Sequence, residues 1–251
     1  MREIAYAKVN LALHVRAREA DGYHRIETIF AFCEDGDILT AADADEPSLT
    51  VTGPFAAALG DPADNLAMKA ARAIGATAAL TLDKRLPVAA GLGGGSADAA
   101  AVLRMFGGSM EAAATLGADV PACLLSRTAR GEGRGDRIAP VELGLAGMPA
   151  LLVNPGIPLS TAAVFAAWDG VDRGPLANWE SGRNDLEAPA RRLVPDIAEV
   201  LDSLSGARVA RLSGSGATCF GLFDSAAARA AAAARIAAVH PGWWLSQTRL
   251  R

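Results

Sequence analysis

The segment PVAAGLGGGSADAA, residues 87–100, places four glycines within the five positions from Gly91 to Gly95. Glycine concentrates where the backbone adopts positive φ or approaches a ligand closely, because a Cβ atom would clash there. The apolar run AALTLDKRLPV leads into the segment, and the strongly helical stretch SADAAAVLRMF follows the glycines. A strand, a glycine loop and a helix in this order are typical of a phosphate site, since loop amides and the helix dipole both attract an oxyanion.

The loop differs from the commonest phosphate-binding motifs. A Walker A loop requires a lysine directly after its last glycine, and none follows here. A dinucleotide fingerprint requires G-x-G-x-x-G, and Ser96 stands where the third glycine belongs. The HRD and DFG signatures of protein kinases are also missing. The glycine pattern therefore predicts phosphate binding of another type.

Composition narrows the class of protein. A chain of 251 residues with 51% hydrophobic content can bury a full core and suits one large or two small domains. A net charge of -4 gives no basic footprint, so we expect no nucleic-acid partner. The cysteines, Cys33, Cys123 and Cys219, lie far apart without a CxxC pair, which predicts free thiols rather than disulfides or a zinc site.

The amino-terminal stretch does not resemble a signal peptide, because Arg2, Glu3 and Lys8 interrupt its apolar residues. No apolar run reaches the roughly 18 residues of a membrane span. We expect a soluble cytoplasmic protein without a membrane partner, and the sequence leaves the oligomeric state open.

Hydrophobic periodicity predicts an α+β protein whose pattern restarts near Gly147, which gives a boundary between residues 1–146 and 147–251. The predicted strands are IAYAKVNLALHV, RIETIFAFC, DGDILTAA, PSLTVTG, AALTLDKRLPV, MPALLVNPG and two within RVARLSGSGATCFGLF. The predicted helices include DPADNLAMKAARAIGA, SADAAAVLRMF, MEAAATLG, DVPACLL, VPDIAEVLDSL and DSAAARAAAAARIAAVHPG.

The glycine segment resembles the phosphate loop P-x-x-x-G-L-x-S-S-A of the GHMP kinases, the superfamily of galactokinase, homoserine kinase, mevalonate kinase and phosphomevalonate kinase. Pro87, Gly91, Leu92 and Ser96 match it. The triple glycine is most similar to the branch that phosphorylates 4-diphosphocytidyl-2-C-methyl-D-erythritol. Four more motifs appear in the order of that branch: AKVNLAL at 7–13, DGYHRIET at 21–28, GADVP at 117–121 and SGSGATCF at 213–220. Because five motifs in the same order span almost the whole chain, the resemblance to this branch of the GHMP kinases is specific.

The resemblance implies a two-domain GHMP-kinase fold with the active site in the interdomain cleft and ATP and Mg²⁺ as cofactors. Residues 1–146 would form the ATP-binding, catalytic domain, and residues 147–251 the carboxy-terminal domain. The small-molecule substrate would be phosphorylated on its C2 hydroxyl, in non-mevalonate isoprenoid precursor synthesis. Two alternatives remain open here: a homoserine or mevalonate type of kinase, and a non-catalytic nucleotide-binding module in which Lys8 and Asp119 share no pocket.

The resemblance also assigns catalytic roles to Lys8 and Asp119. Asp119 would take the proton of the attacking hydroxyl, and Lys8 would orient that hydroxyl and offset charge in phosphoryl transfer. From local pattern alone, the N-cap of a helix is the favoured interpretation of Asp119, and Lys8 could face solvent from a half-buried strand; the resemblance reverses that preference.

Ligand contacts follow from the same motifs. Asn10 lies two residues after Lys8, so both face one side of a strand, and we assign it to the substrate pocket. Tyr23 would contact the cytosine ring and His24 would bond its edge. Asn65 is either a helix cap or a nucleotide contact, and the turn at Ser213 is either a tight hairpin or a phosphate contact. The implied ATP-binding residues are Asn65, Pro87, Val88, Ala89, Ala90, Gly91, Leu92, Gly93, Gly94, Gly95, Ser96 and Ala97, and the implied substrate-binding residues are Asn10, Tyr23, His24, Ser213, Gly214, Ser215 and Gly216.

The chain departs from the superfamily pattern in two places. Ser96 is followed by Ala97 rather than a second serine, so one hydroxyl is available and the metal ligands stay unassigned. Relatives carry an aromatic residue before the Asn-Asp pair of the second domain, where this chain has Gly182 and Arg183. Trp179 is the nearby aromatic that could take its place.

Overall fold

The computed structural model describes residues 1–251 as ten strands and eight helices, with two short 3₁₀ turns before the first helix. The strands are β1 (Arg2–Arg18), β2 (His24–Asp43), β3 (Ser48–Thr52), β4 (Ala78–Asp83), β5 (Ala129–Gly133), β6 (Arg137–Pro140), β7 (Pro149–Asn154), β8 (Val209–Leu212), β9 (Cys219–Leu222) and β10 (Trp244–Arg249). The helices are α1 (Leu66–Ala73), α2 (Gly94–Phe106), α3 (Met110–Leu116), α4 (Val120–Leu125), α5 (Thr161–Ala166), α6 (Glu187–Leu193), α7 (Asp196–Ser203) and α8 (Ala226–Val239).

The first sheet has six strands and is organised around β2. Five of them follow the order β3-β4-β2-β5-β6, and β1 also pairs with β2. The sequence predicts two strands, RIETIFAFC and DGDILTAA, where the structure has the single strand β2, so that division is wrong. Gly36 instead allows β1 to pass close by, since a Cβ there would lie 1.9 Å from the Ala5 oxygen. The register shifts between Tyr6 and Lys8 of β1, so a bulge absorbs the extra residues and the strand continues.

The second sheet is antiparallel throughout and has the order β10-β7-β9-β8. Its first strand begins at Pro149, and the predicted boundary at residues 146 and 147 falls in the connection between β6 and β7. The α+β fold is confirmed. The predicted glycine turn joins β8 to β9, and Ser225 caps α8 as its sequence indicates, with its hydroxyl accepting the Ala228 N–H at 3.1 Å.

The two sheets share hydrophobic cores because β1 and β2 extend into both. One cluster packs the first sheet against α1 and α2, where a run of small residues, Ala99, Ala100 and Ala101, is fully buried. A second cluster joins Leu13 and Val15 of β1 to α6, α7 and the second sheet. The division at residue 146 therefore stays a prediction, since β1 contributes to the packing on both sides of it.

Main-chain hydrogen bonds also tie β1 to the segment before α6. Leu13 donates its N–H to the Arg183 oxygen at 2.8 Å and accepts the Asp185 N–H at 2.8 Å. The Val15 N–H donates to Oδ2 of Asp185 at 2.8 Å. The buried guanidinium of Arg211 donates to the Leu11 oxygen. These contacts fix the orientation of β1 relative to the carboxy-terminal half of the chain.

The three cysteines are free thiols, as the sequence predicts, and the structure buries all three. Burial raises the pKa of the Cys33 and Cys123 thiols to about 12, which keeps both protonated at neutral pH. Among the helices, none combines the length and the apolar character that crossing a bilayer requires.

Candidate active site

A cavity of about 1170 Å³ opens between the glycine loop, the start of β2 and helix α5. It is large enough for more than one small ligand. Most of the predicted site residues line it: Lys8, Asn10, Tyr23, His24, Asn65, Pro87, Val88, Ala89, Ala90, Gly91, Gly93, Gly94, Gly95, Ser96, Asp119, Gly214 and Ser215. Leu92, Ala97, Ser213 and Gly216 lie behind that surface and support it.

The backbone of the glycine loop has the positive φ angles that its composition predicts. Ala89, Gly91 and Gly93 have φ of 53°, 76° and 64°, so three residues adopt left-handed conformations within five positions. No side chain caps α2, which begins at Gly94. Its first-turn N–H groups therefore stay available to a bound anion, and the positive end of the helix dipole lies beside them.

The second glycine turn packs directly against the first. The Ser213 hydroxyl donates to the Gly91 oxygen at 2.8 Å, and a Cβ on Gly91 would lie 2.2 Å from the Ser213 oxygen. Ser213 is buried, whereas Gly214 and Ser215 reach the cavity. The Ser215 hydroxyl lies 2.9 Å from that of Thr161 on α5. This turn thus braces the glycine loop and also presents one hydroxyl to the cavity.

Lys8 and Asp119 meet in the cavity. Lys8 Nζ lies 3.0 Å from Oδ2 of Asp119 and donates to Oδ1 of Asn10 at 3.0 Å. The ammonium is buried, with Phe30 beneath it, and the carboxylate is about one-third exposed. Asp119 precedes α4 but makes no side-chain capping bond, so the capping interpretation does not account for it. The carboxylate is thus held by a buried cation and stays open to the cavity.

A chain of hydrogen bonds fixes the orientation of Asn10. Its Nδ2 donates to the Thr28 hydroxyl at 2.8 Å, and that hydroxyl donates to the Ala12 oxygen at 2.7 Å. Asn10 must therefore present its oxygen to Lys8. The side chains of Lys8 and Asn10 face the same side of β1, as their spacing predicts.

Aromatic rings gather at the other end of the cavity. The His24 ring lies 4.9 Å from Phe165 and 5.6 Å from Trp168, between ring centroids. Burial, with the nearby Arg18 charge, lowers the pKa of His24, so the imidazole is neutral at pH 7 with one donor and one acceptor nitrogen. Tyr23 beside it is largely exposed. This end combines flat apolar surface with a hydrogen-bonding edge.

Trp179 does not reach this region, which corrects the sequence-based suggestion. Its ring packs in the core shared by β1 and the second sheet, and its oxygen accepts a hydrogen bond from Arg211 at 3.0 Å. Phe165 occupies the cavity wall next to His24 instead. Its spacing within α5 matches an ordinary core position, so the sequence alone did not single it out.

Asn65 is the N-cap of α1, as one of its two interpretations predicts, and its contact with a nucleotide stays a prediction. Its Oδ1 accepts the Ala67 N–H at 2.8 Å and caps α1, while the residue also lines the cavity near the glycine loop. An N-cap side chain uses its oxygen, so the amide nitrogen remains free to donate to a ligand.

A buried ion triad lies beneath the glycine loop and was missed in the sequence. Lys84 Nζ is 2.5 Å from Oδ2 of Asp37 and 2.7 Å from Oδ2 of Asp98. Asp37 also accepts the N–H groups of Arg85 and Leu86 at 2.6 and 2.8 Å, whereas Oδ1 of Asp98 is buried without a partner. Burial raises the pKa of Asp98 to about 7, although Lys84 opposes that shift. One cation thus serves two carboxylates.

Other cavity residues carried no signal that separates them from ordinary positions. Arg134 lies in a hairpin that the sequence analysis left unassigned. Lys84 reads as a polar residue at a strand end. Only the fold brings these side chains to one cavity.

The comparison with known proteins agrees with the geometry. Models of the GHMP kinase N-terminal domain and of the GHMP kinase C-terminal region match residues 65–127 and 168–241. A 4-diphosphocytidyl-2-C-methyl-D-erythritol kinase of Rhizorhabdus wittichii is 57% identical, over 99% of this chain and 94% of its own length. The chain belongs to this family of GHMP kinases. A Novosphingobium aromaticivorans kinase of the same name is 53% identical over 100% of this chain and 93% of its own length.

Solved structures of GHMP kinases place the fold in the same group. A crystal structure of 4-(cytidine 5'-diphospho)-2C-methyl-D-erythritol kinase is 35% identical and superposes with a TM-score of 0.82 over 99% of both chains. Homoserine kinase from Cytophaga hutchinsonii has a TM-score of 0.65 at 15% identity over 97% of this chain and 95% of its own, so that likeness concerns the fold alone. The predicted superfamily and its diphosphocytidyl branch are confirmed.

Proposed function

We propose that this GHMP kinase transfers the γ-phosphoryl group of ATP to the C2 hydroxyl of 4-diphosphocytidyl-2-C-methyl-D-erythritol. The observation that carries the proposal is one cavity with three chemically distinct parts. The glycine loop offers amides for phosphates, the Lys8–Asp119 pair offers a base next to a cation, and the His24 end offers a site for a planar base. A homoserine or mevalonate kinase has no use for the third part.

The transfer step needs an acceptor hydroxyl beside Asp119. Asp119 takes its proton as the oxygen attacks phosphorus, and the bond to the leaving β-phosphate oxygen breaks. Lys8 holds the carboxylate in place and stabilises the charge that develops on the transferred group. Asn10 keeps the Lys8 ammonium between the two oxygens that it contacts, so the cation is already positioned when the substrates arrive.

ATP is expected to bring Mg²⁺ into the site. No group of three or more histidine, cysteine or acidic residues is arranged to hold a metal. Magnesium commonly takes most of its ligands from phosphates and water, so a dedicated cluster is not needed. The Ser96 hydroxyl lines the cavity in the first turn of α2 and would hold the ion together with phosphate oxygens. The ion would neutralise charge on the transferred phosphoryl group.

Because the substrates are small and metabolic and the chain carries a net charge of -4, we propose a cytoplasmic enzyme with no nucleic-acid or membrane partner.

The function is tested by measuring ADP release with ATP and a panel of acceptors: the cytidine-linked methylerythritol diphosphate, its uridine analogue, free methylerythritol, homoserine and mevalonate. We expect the cytidine-linked compound to have the highest kcat/KM. Equal turnover of free methylerythritol would contradict recognition of the nucleotide, and failure to turn over any acceptor would favour a non-catalytic nucleotide-binding module.

Gly95→Val is expected to weaken ATP binding about 10- to 100-fold, the equivalent of one lost charge-assisted hydrogen bond. A Cβ at Gly95 meets only Leu66, at 3.5 Å, so the protein accepts the side chain, but the branch enters the phosphate space. Gly94 is a poorer probe because its Cβ would lie 3.0 Å from Lys84 Nζ in the ion triad.

Calorimetric titration with ATP and, separately, with cytidine diphosphate measures this effect, and Gly242→Val serves as the control because Gly242 lies in open space. A loss that is equal for both ligands would show that the substitution disturbs folding rather than the phosphate site.

His24→Phe is expected to raise KM for the cytidine-linked acceptor roughly tenfold and to leave KM for ATP unchanged. The ring packing against Phe165 is kept, but the base edge loses its partner, and a buried polar group without a partner costs about 1–3 kcal/mol. The variant should also narrow the preference for the cytidine over the uridine compound.

Steady-state kinetics with both acceptors measure the change, and His240→Phe is the matched control, since His240 stacks on Trp243 outside the cavity. A variant that discriminates between cytidine and uridine as well as the natural chain would contradict the role given to His24.

A further inference from the structure

The tip of the β5–β6 hairpin reaches the turn that precedes His24 at the rim of the cavity. Arg134 lies at that tip, and its Nη2 donates to Oε2 of Glu19 at 3.1 Å and to Oδ2 of Asp21. The carbon at the centre of its guanidinium lies 4.1 Å from the centroid of the Tyr23 ring. The edge of the Arg134 guanidinium therefore binds the carboxylates of the turn, and its flat face stacks on the Tyr23 ring.

The Tyr23 ring has little else to hold it. It is 58% exposed, and the turn fixes its main chain, through a Glu19 N–H to Tyr23 oxygen bond of 2.7 Å and a Tyr23 N–H to Asp21 Oδ1 bond of 3.1 Å. An exposed ring on a fixed backbone still samples several rotamers, and ordering it upon binding would cost affinity.

We propose that Arg134 is a positioning residue for the acceptor: it stacks on one face of Tyr23 and leaves the other face free for the nucleobase. This inference rests on the proposed function, since it assumes a base in that place. A planar guanidinium suits this role because it can stack on a ring while its edge binds two carboxylates.

Direct binding of the acceptor diphosphate by Arg134 fits the charges less well. The two carboxylates of Glu19 and Asp21 against one guanidinium leave this group of three residues with one net negative charge. A diphosphate would be repelled by the surplus carboxylate and would have to displace an existing partner of Arg134. The geometry thus favours an effect that passes through Tyr23.

A double-mutant cycle separates the two routes. Binding of cytidine diphosphate and of ATP is measured calorimetrically for the natural chain, Arg134→Ala, Tyr23→Ala and the double variant. We expect Arg134→Ala to weaken cytidine diphosphate binding about three- to tenfold, as the loss of a stacked cation and of preorganisation would. The double variant should bind no worse than Tyr23→Ala alone, because the arginine then has nothing to position.

Two further variants complete the experiment. Arg134→Lys keeps the charge but loses the planar face. This variant should have the melting temperature of the natural chain and should still bind cytidine diphosphate more weakly. Arg137 lies in the same hairpin, with its exposed guanidinium 3.9 Å from Glu132. Arg137→Ala should leave the affinities for ATP and cytidine diphosphate unchanged.

The binding data decide for or against the positioning role of Arg134. Additive effects of Arg134→Ala and Tyr23→Ala, or unchanged binding in Arg134→Ala or Arg134→Lys, would overturn the positioning role while leaving the kinase assignment intact. If the natural chain binds ATP but not cytidine diphosphate, the proposed acceptor is wrong and this inference falls with it. Equal loss of ATP and cytidine diphosphate in Arg134→Ala, without loss in Arg134→Lys, would show a folding defect instead of positioning.

Discussion

Replacing Asp119 with asparagine is expected to lower kcat by roughly 10² to 10⁴, the range associated with the loss of a general base. Asparagine has nearly the same shape and can still face Lys8, but it cannot take the proton of the acceptor hydroxyl. The affinity for ATP should hardly change, because the triphosphate is expected to contact the glycine loop and the start of α2.

Stability should also survive the Asp119 substitution. The carboxylate makes no capping bond to α4, and asparagine keeps a polar oxygen next to the buried Lys8 ammonium, so we expect only a modest loss of folding free energy. Steady-state kinetics with both substrates saturating measure kcat, and a thermal melt measures stability separately. Glu111→Gln, an exposed acid in the first turn of α3, is the control. Near-normal turnover of the Asp119 variant would rule out the base assignment.

Replacing Lys84 with methionine is expected to cost about 3–5 kcal/mol of unfolding free energy, the effect of removing one partner from a buried ion pair. Methionine has a similar length but leaves the carboxylates of Asp37 and Asp98 in a buried site without their cation. Lys69→Met is the control, since Lys69 and Asp64 form an exposed pair of the same residue types and such pairs contribute little.

Asp98→Asn should rescue much of the Lys84 defect, because asparagine resembles the protonated carboxyl group. Denaturant unfolding at several pH values adds a second test, because the direction in which the unfolding free energy changes with pH can be predicted. The folded-state pKa of Asp98, about 7, lies well above the ordinary value of an aspartate, 3.8, so the folded protein binds this proton more tightly than the unfolded chain. Relative to Asp98→Asn, the natural chain should therefore lose stability as pH rises from about 4 to about 7. A gain over that range would contradict a buried, destabilised carboxylate.

The sequence predicted those parts of the site that depend on local geometry. The φ values around Gly91 and Gly93 follow from a requirement that few other residues meet, and a two-residue spacing places Lys8 and Asn10 on one side of a strand. Family motifs then brought Asp119 to Lys8, which no local rule could do because 111 positions separate the two residues.

The features that were missed depend on contacts between distant segments. The Asp-Gly pair at Gly36 has the composition of a turn, yet pairing with β1 keeps the strand continuous. Phe165 and Arg134 look like an ordinary apolar and an ordinary surface residue until α5 and the β5–β6 hairpin bring them to the cavity. Strand β10 also has no strong pattern of its own, and it forms because β7 offers it an edge.

The continuous ribbon of β1 and β2 has a consequence for how ligands come and go. Many enzymes with a cleft open it by rotating one lobe about a hinge. Here such a rotation would tear Leu13 and Val15 from the Arg183–Asp185 segment and pull Arg211 away from Leu11. Entry and release of ligands therefore depend on movements of short rim segments, such as the turn at residues 19–23. The width of the cleft should vary little over a catalytic cycle.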